Sequence, residues 1–186
     1  HDYEGSKWSL ILNAPALYHI LLEQQRDSFV SIQDLCSKTQ RNNMRVLPKQ
    51  FVQIDEPAGN VENRVAFLHS YKDTSSIVID LSKQKSVQHD HIQTALSHEN
   101  FVVPNIISNR FYGKPIYFIH GKEYFVNDSF FVGTINQNID HNKAILSLNS
   151  TLSLMFAELR GRKGQGGGVL SFYGPEFREH LIIKPE

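Results

Sequence analysis

The residues from Asp140 to Gly161 constrain the fold more than any other stretch. Ile145, Leu148, Leu152, Met155, Phe156 and Leu159 recur at spacings of three and four, the period of a helix with one apolar face. A helix of that kind must bury its apolar stripe against another layer. The pattern predicts a long amphipathic helix over 142–160. Asp140 or Asn142 is placed to cap it, Arg160 lies in its last turn and Gly161 just past its end. A glycine-rich segment follows, and then two strand-like runs, "GVLSFYG" and "HLIIKPE".

Upstream of this helix the pattern is mostly β. "RVAFLHS", "SSIVIDLS", "NFVVPNII" and "SFFVGTIN" read as strands, and "RVLPKQFVQI" as strand material interrupted by Pro48. "KPIYFIHGKEYFVND" reads as a hairpin turning at His120-Gly121. Residues 82–100 are polar and predict a helix or loop excursion; "SKTQRNNMR" predicts a loop. The chain opens with a helix in "LILNAPALYHILLEQQRD", with Asn13 as cap, Pro15 in the first turn and Leu17, Ile20 and Leu21 on one face. Strands outnumber helices and are expected to be joined mainly by hairpins. The expected class is α+β with a mostly antiparallel sheet. A single domain over 1–186 is expected, with the first helix and a polar loop in 1–60 and a β-rich core in 61–186.

Composition narrows the chemistry. Nineteen basic and nineteen acidic residues balance, so any basic patch is local and offset elsewhere. The single cysteine, Cys36, excludes an intramolecular disulfide and a cysteine-based zinc site; a buried structural thiol is expected. No apolar run is long enough to span a bilayer, and a cytoplasmic protein is expected. The first residue is His1 and the last run ends at Glu186; the expectation is a piece of a longer protein.

Three polar clusters are candidate contacts for an anion or a nucleic acid. The first runs from Arg160 to Gly168, nine residues holding three cations and five glycines. It is not a Walker loop, because it follows a helix and precedes a strand and no Ser or Thr follows Lys163. Arg160, Arg162 and Lys163 can reach phosphates, with Gln165, Gly166, Gly167 and Gly168 letting the backbone approach closely. The plain alternative is a solvated connector whose cations complement the helix dipole. The second cluster is "KTQRNNMR". Its Arg41, Asn42, Asn43 and Arg45 are residue types that pair with base edges, and they are also ordinary loop composition. The third is "SNRFYGKP", where Asn109, Arg110 and Lys114 surround Phe111 and Tyr112, a mixture that holds phosphate and stacks on bases, or a turn with buried aromatics. His89, Asp90 and His91 offer two metal-ligand types with no third partner in view. No catalytic constellation is recognisable, and no metal or cofactor site is assigned to this chain.

Taken together, these runs resemble a known family. "KWSLILNAPALYHILLEQQRDSFVSIQDL", "VVPNIISNRFYGKPIYFIHGKEYFVNDSFFVG" and "ILSLNSTLSLMFAELRGRKGQGGGVLSFYGPEFREHLIIKP" are similar to the C-terminal target-recognition region of adenine-N6 DNA methyltransferases, of the Taq type and of fused restriction–modification enzymes. The Asn149-Ser150 pair, Gly161-Arg162, the Gly166–Gly168 run and the closing Leu181–Pro185 carry the likeness. It implies a domain that reads and grips double-stranded DNA while a separate domain, linked or associated, methylates adenine with S-adenosylmethionine. The sequence departs from the family at "TQRNNMRVLPKQF". It also lacks the Asn/Asp-Pro-Pro-Tyr/Phe motif and the cofactor-binding glycine loop, so the chain itself is expected not to be an enzyme. Two other readings stand beside this one: a stand-alone specificity or protein-interaction module, and a metal-dependent nuclease built on His89, Asp90 and His91.

Overall fold

The computed structural model describes residues 14–41, 64–68, 77–88, 104–110, 117–120, 124–126, 130–162 and 171–185. The order begins with helix α1 (Ala16–Gln24), a 3-10 turn (Arg26–Ser28), strand β1 (Phe29–Ser31), the one-turn helix α2 (Ile32–Leu35) and β2 (Cys36–Gln40). Then come β3 (Arg64–Leu68), β4 (Val78–Asp80), a 3-10 turn (Leu81–Lys83), β5 (Lys85–Gln88), β6 (Ile106–Asn109), β7 (Tyr117–His120), β8 (Tyr124–Val126) and β9 (Phe130–Ile135). Helices α3 (His141–Leu148), α4 (Thr151–Arg160) and α5 (Gly174–Arg178) precede the last strand, β10 (Leu181–Ile183). The class is α+β, as the sequence predicts.

The strands form a five-stranded sheet in the order β2-β9-β6-β7-β4, a three-stranded sheet β5-β3-β8 and the pair β1-β10. Five of the seven pairings among the described residues are antiparallel; β3–β8 and β4–β7 are parallel. The expected hairpin at His120-Gly121 does not form. Strand β7 pairs with β6 and β4, whereas β8 pairs with β3 in the other sheet. The reason lies in β9, where apolar residues on both faces are buried. Phe131 and Ile135 pack with α2, α3, α5 and β10 on one side, in a cluster with Ile32, Leu35, Ala144, Leu148, Phe177 and Ile182. Phe130 and Val132 face the other side and meet Ala66, Leu68 and Val126 of the small sheet. A strand buried on both faces needs two covering layers, and separating β7 from β8 supplies the second. At the centre, a Cβ on Gly133 would lie 3.0 Å from Cys36 Sγ and 3.1 Å from Ile106 Cγ1, so the glycine lets β2 and β6 close over β9.

Five further expectations change. The predicted helix over 142–160 is two helices, α3 and α4, broken at Asn149-Ser150. Asn149 Nδ2 donates to the Ile145 carbonyl at 2.8 Å, and Ser150 Oγ accepts from the Ser153 amide at 3.2 Å. Short polar side chains compete with the backbone for helical hydrogen bonds and so end one helix and cap the next. Asp140 caps α3, its carboxylate accepting from the Asn142 and Lys143 amides; those bonds hold its pKa below the usual carboxylate value.

The loop expected at "SKTQ" is strand β2, and part of the polar span 82–100 is strand β5. Both are edge strands, where a polar outer side meets solvent at little cost. "FYGPEFR" holds a helix rather than the tail of a strand: Pro175 sits in its first turn and Glu176 Oε2 accepts from the Tyr173 amide at 3.2 Å. Helix α1 buries Tyr18, which meets Phe156 edge-on at 5.6 Å, while Leu17 and Ile20 remain 56% and 46% exposed; the buried face is thus centred on an aromatic side chain and not on the leucine–isoleucine row. Cys36 is buried as expected, and burial pushes its thiol pKa up to about 12. No helix among the described residues is long and apolar enough to cross a membrane.

Candidate nucleic-acid interface

Strands β2 and β6 flank β9 and both run antiparallel to it. Gln40 pairs opposite Val132 and Asn109 opposite Phe130. Both flanking strands therefore leave the sheet at the same end of β9, and deliver Arg41 and Arg110 on either side of Phe131. Two backbone links bring the C-terminal segment to this corner. The Phe172 amide donates to the Arg110 carbonyl at 2.8 Å, and Arg162 and Ser171 exchange hydrogen bonds of 3.0 and 3.1 Å. Helix α5 then begins beside Tyr173 and carries Arg178 to the same place.

The result is a cleft of about 250 Å³ lined by Gln40, Arg41, Arg110, Phe131, Tyr173, Gly174, Phe177 and Arg178. Phe131 and Phe177 stack nearly parallel, 17° apart with centroids at 5.3 Å, and form its apolar floor. The guanidinium carbons of Arg110 and Arg162 lie 5.0 and 4.4 Å from the Tyr173 ring centroid, within cation–π range. Arg162 Nε donates to Glu176 Oε1 at 2.7 Å; the carboxylate is 3% exposed and the guanidinium side chain 53%. The Glu176 hydrogen bond and charge raise the Arg162 pKa. One buried carboxylate thus fixes both the Tyr173 backbone and the Arg162 side chain, and the cationic surface is oriented before any ligand arrives.

The predicted contact residues divide. Arg41 and Arg110 line the cleft and Arg162 adjoins it. Arg160 does not join them. Its guanidinium donates to the Glu179 carbonyl and lies 3.9 Å from the Glu179 carboxylate, clamping the end of α4 to the turn before β10. Asn109 is buried on β6, so its amide does not meet a groove edge from that position. Asn42, Asn43, Arg45, Lys114, Lys163, Gln165, Gly166, Gly167 and Gly168 lie outside the described residues, as do His89, Asp90 and His91. Among the described residues no group of three or more His, Cys, Asp and Glu side chains is placed to hold a metal.

Sequence reasoning missed Gln40, Tyr173 and Arg178. The available signal was Pro175-Glu176 after Tyr173, a helix-start pattern that places Tyr173 and Arg178 at one corner.

A second polar centre lies inside the core. Ser153 Oγ is 2.7 Å from His180 Nε2 and donates to the Leu148 carbonyl at 2.7 Å. The hydroxyl has one proton, and the carbonyl takes it. His180 therefore carries its proton on Nε2 and donates to Ser153, while Nδ1 is buried with no partner among the described residues. Burial first, and the nearby Arg160 charge second, pull the His180 pKa down to about 3. With His180 2% exposed and Ser153 wholly buried, no substrate reaches this pair. It is a neutral structural contact.

No protein-family model matches the chain, and no curated protein matches it in sequence.

Proposed function

We propose that this chain is a target-recognition domain that binds double-stranded DNA, part of a site-specific adenine-N6 DNA methyltransferase or restriction–modification enzyme of the bacterial cytoplasm. The observation that carries this reading is the convergence of Arg41, Arg110 and Arg178 around one cleft, with Arg162 against its Tyr173 wall. These cations come from four separate segments of a chain with no net charge. Arginine forks match phosphate oxygens bidentately, and phosphate contacts set the register of a protein on its duplex. In this reading the domain holds DNA in register and does no chemistry. A separate catalytic domain binds S-adenosylmethionine and methylates an adenine turned out of the stack.

The test is the salt dependence of duplex binding, followed by fluorescence anisotropy. Arg41→Ala, Arg110→Ala and Arg178→Ala are each expected to reduce the slope of log K against log salt by about one. Three unchanged slopes would remove the cleft from the interface. Arg162→Ala is a poorer probe, because it also strips Glu176 of its cation.

A further inference from the structure

Arg162 is held in a way that gripping a phosphate does not require. Its Nε donates to Glu176 Oε1 at 2.7 Å, and its guanidinium carbon lies 4.4 Å from the Tyr173 ring centroid. Its main chain is fixed as well, through the two hydrogen bonds exchanged with Ser171. Among the described residues nothing accepts from Nη1 or Nη2, and the side chain is 53% exposed. One edge of the fork is thus tied to a carboxylate, one face lies on a ring, and the Nη edge keeps its donors for a ligand. We propose that Arg162 is a specificity-determining residue, whose Nη edge donates to O6 and N7 of a guanine in the major groove of double-stranded DNA. The proposal rests on the DNA-binding reading above.

DNA offers a guanidinium fork two bidentate partners, phosphate oxygens and the guanine edge. The Glu176 carboxylate decides between them. It is 3% exposed and 2.7 Å from Nε, so it offsets the charge of Arg162 and repels an incoming phosphate where water screens poorly. Guanine O6 and N7 are uncharged acceptors and meet the same fork without that repulsion. Adenine presents one acceptor and one donor on this edge, which a fork of donors alone does not match. An arginine fixed beforehand also loses less side-chain freedom on binding, and a fixed plane is what discrimination between bases needs. Arg160, two residues earlier, is spent on the Glu179 carbonyl. Arg41, Arg110 and Arg178 remain the phosphate contacts.

The experiment has two arms on the full chain. In the first, duplexes with a randomised centre are selected for binding and sequenced. The wild-type chain is expected to enrich a motif containing guanine. Arg162→Lys, which keeps a cation beside Glu176, is expected to lose the preference at one guanine and keep the other positions. Arg41→Ala is expected to keep the whole motif. In the second arm that guanine is replaced by 7-deazaguanine, which lacks the N7 acceptor. Wild-type binding is expected to weaken about ten-fold. This arm uses the wild-type chain, so it stands whether or not the lysine variant folds. An unchanged motif in Arg162→Lys, a preference lost at a base other than guanine, or equal wild-type affinity for guanine and 7-deazaguanine overturns the proposal. A wild-type chain that binds duplexes with the expected salt dependence and enriches no guanine also overturns it, and leaves the DNA-binding reading standing. A chain that binds no duplex removes both.

Discussion

The cleft and the Ser153–His180 contact each take part of their residues from one C-terminal stretch, Tyr173 to His180, and they treat polar groups in opposite ways. At the cleft, charge is kept. Glu176 is buried, but it accepts from the Arg162 guanidinium and the Tyr173 amide, so its ionised form is compensated. In the core, charge is refused. Among the described residues His180 hydrogen-bonds to the neutral Ser153 and its Nδ1 has no partner, and burial keeps the ring uncharged. The difference follows from what stands nearby. A half-exposed arginine lets water share the cost of a buried carboxylate, whereas apolar walls around an imidazole leave deprotonation as the cheaper state. A ligand-facing surface tolerates the first arrangement and a packing core the second.

The largest effect on stability is expected where that compensation is removed. Arg162→Ala takes the Arg162 guanidinium from the buried Glu176 carboxylate and should lower stability more than any substitution on the cleft rim. Chemical denaturation checks this; a loss no larger than that of Arg41→Ala would mean that the buried carboxylate does not depend on Arg162.

The core centre should make stability depend on pH. The unfolded imidazole binds protons below about pH 6.5 while folded His180 resists them down to about 3. Stability from this residue is therefore complete above pH 6.5 and falls by about 1.4 kcal/mol per pH unit below it, flattening near pH 3. Unfolding free energies from urea denaturation at pH 7 and pH 5 should differ by about 2 kcal/mol from this source, and His180→Phe should remove that part of the difference. Ser153→Ala takes the partner from both His180 Nε2 and the Leu148 carbonyl, and is expected to cost about 2 kcal/mol at neutral pH.

The smallest stability effect belongs to the rim. Arg41→Ala, at an exposed position, should change stability by less than about 0.5 kcal/mol while lowering the salt slope of DNA binding. A rim variant that unfolds the protein as readily as Arg162→Ala would erase the contrast between the two regions.

Much of this arrangement was legible in local pattern. Asp140 as a cap, the apolar stripe of α3 and α4, the buried Cys36 and the α+β class all follow from short-range chemistry that needs no knowledge of partners. Errors arose where a residue's role depended on position within a sheet. Lys38, Thr39 and Gln40 are polar and lie in a strand because β2 is an edge. Tyr117–His120 and Tyr124–Val126 look like two halves of a hairpin and serve different sheets because β9 needs cover on both faces.

Arg160 and Arg162 show most clearly where sequence stops and tertiary structure begins. Two residues apart, of one type and in one cationic run, they are equivalent on paper. The sequence by itself determined that cations follow α4, that a helix precedes them and that Arg41 and Arg110 sit in polar runs. It could not say which cations meet. Arg160 lies within helix α4 and turns to Glu179; Arg162 lies just past its end and turns to Glu176 and Tyr173. That choice was made by the docking of α5 and the exit of β2 and β6 at one end of β9. Residues far apart in the chain become neighbours through strand register, and register is settled by which apolar faces must be buried together.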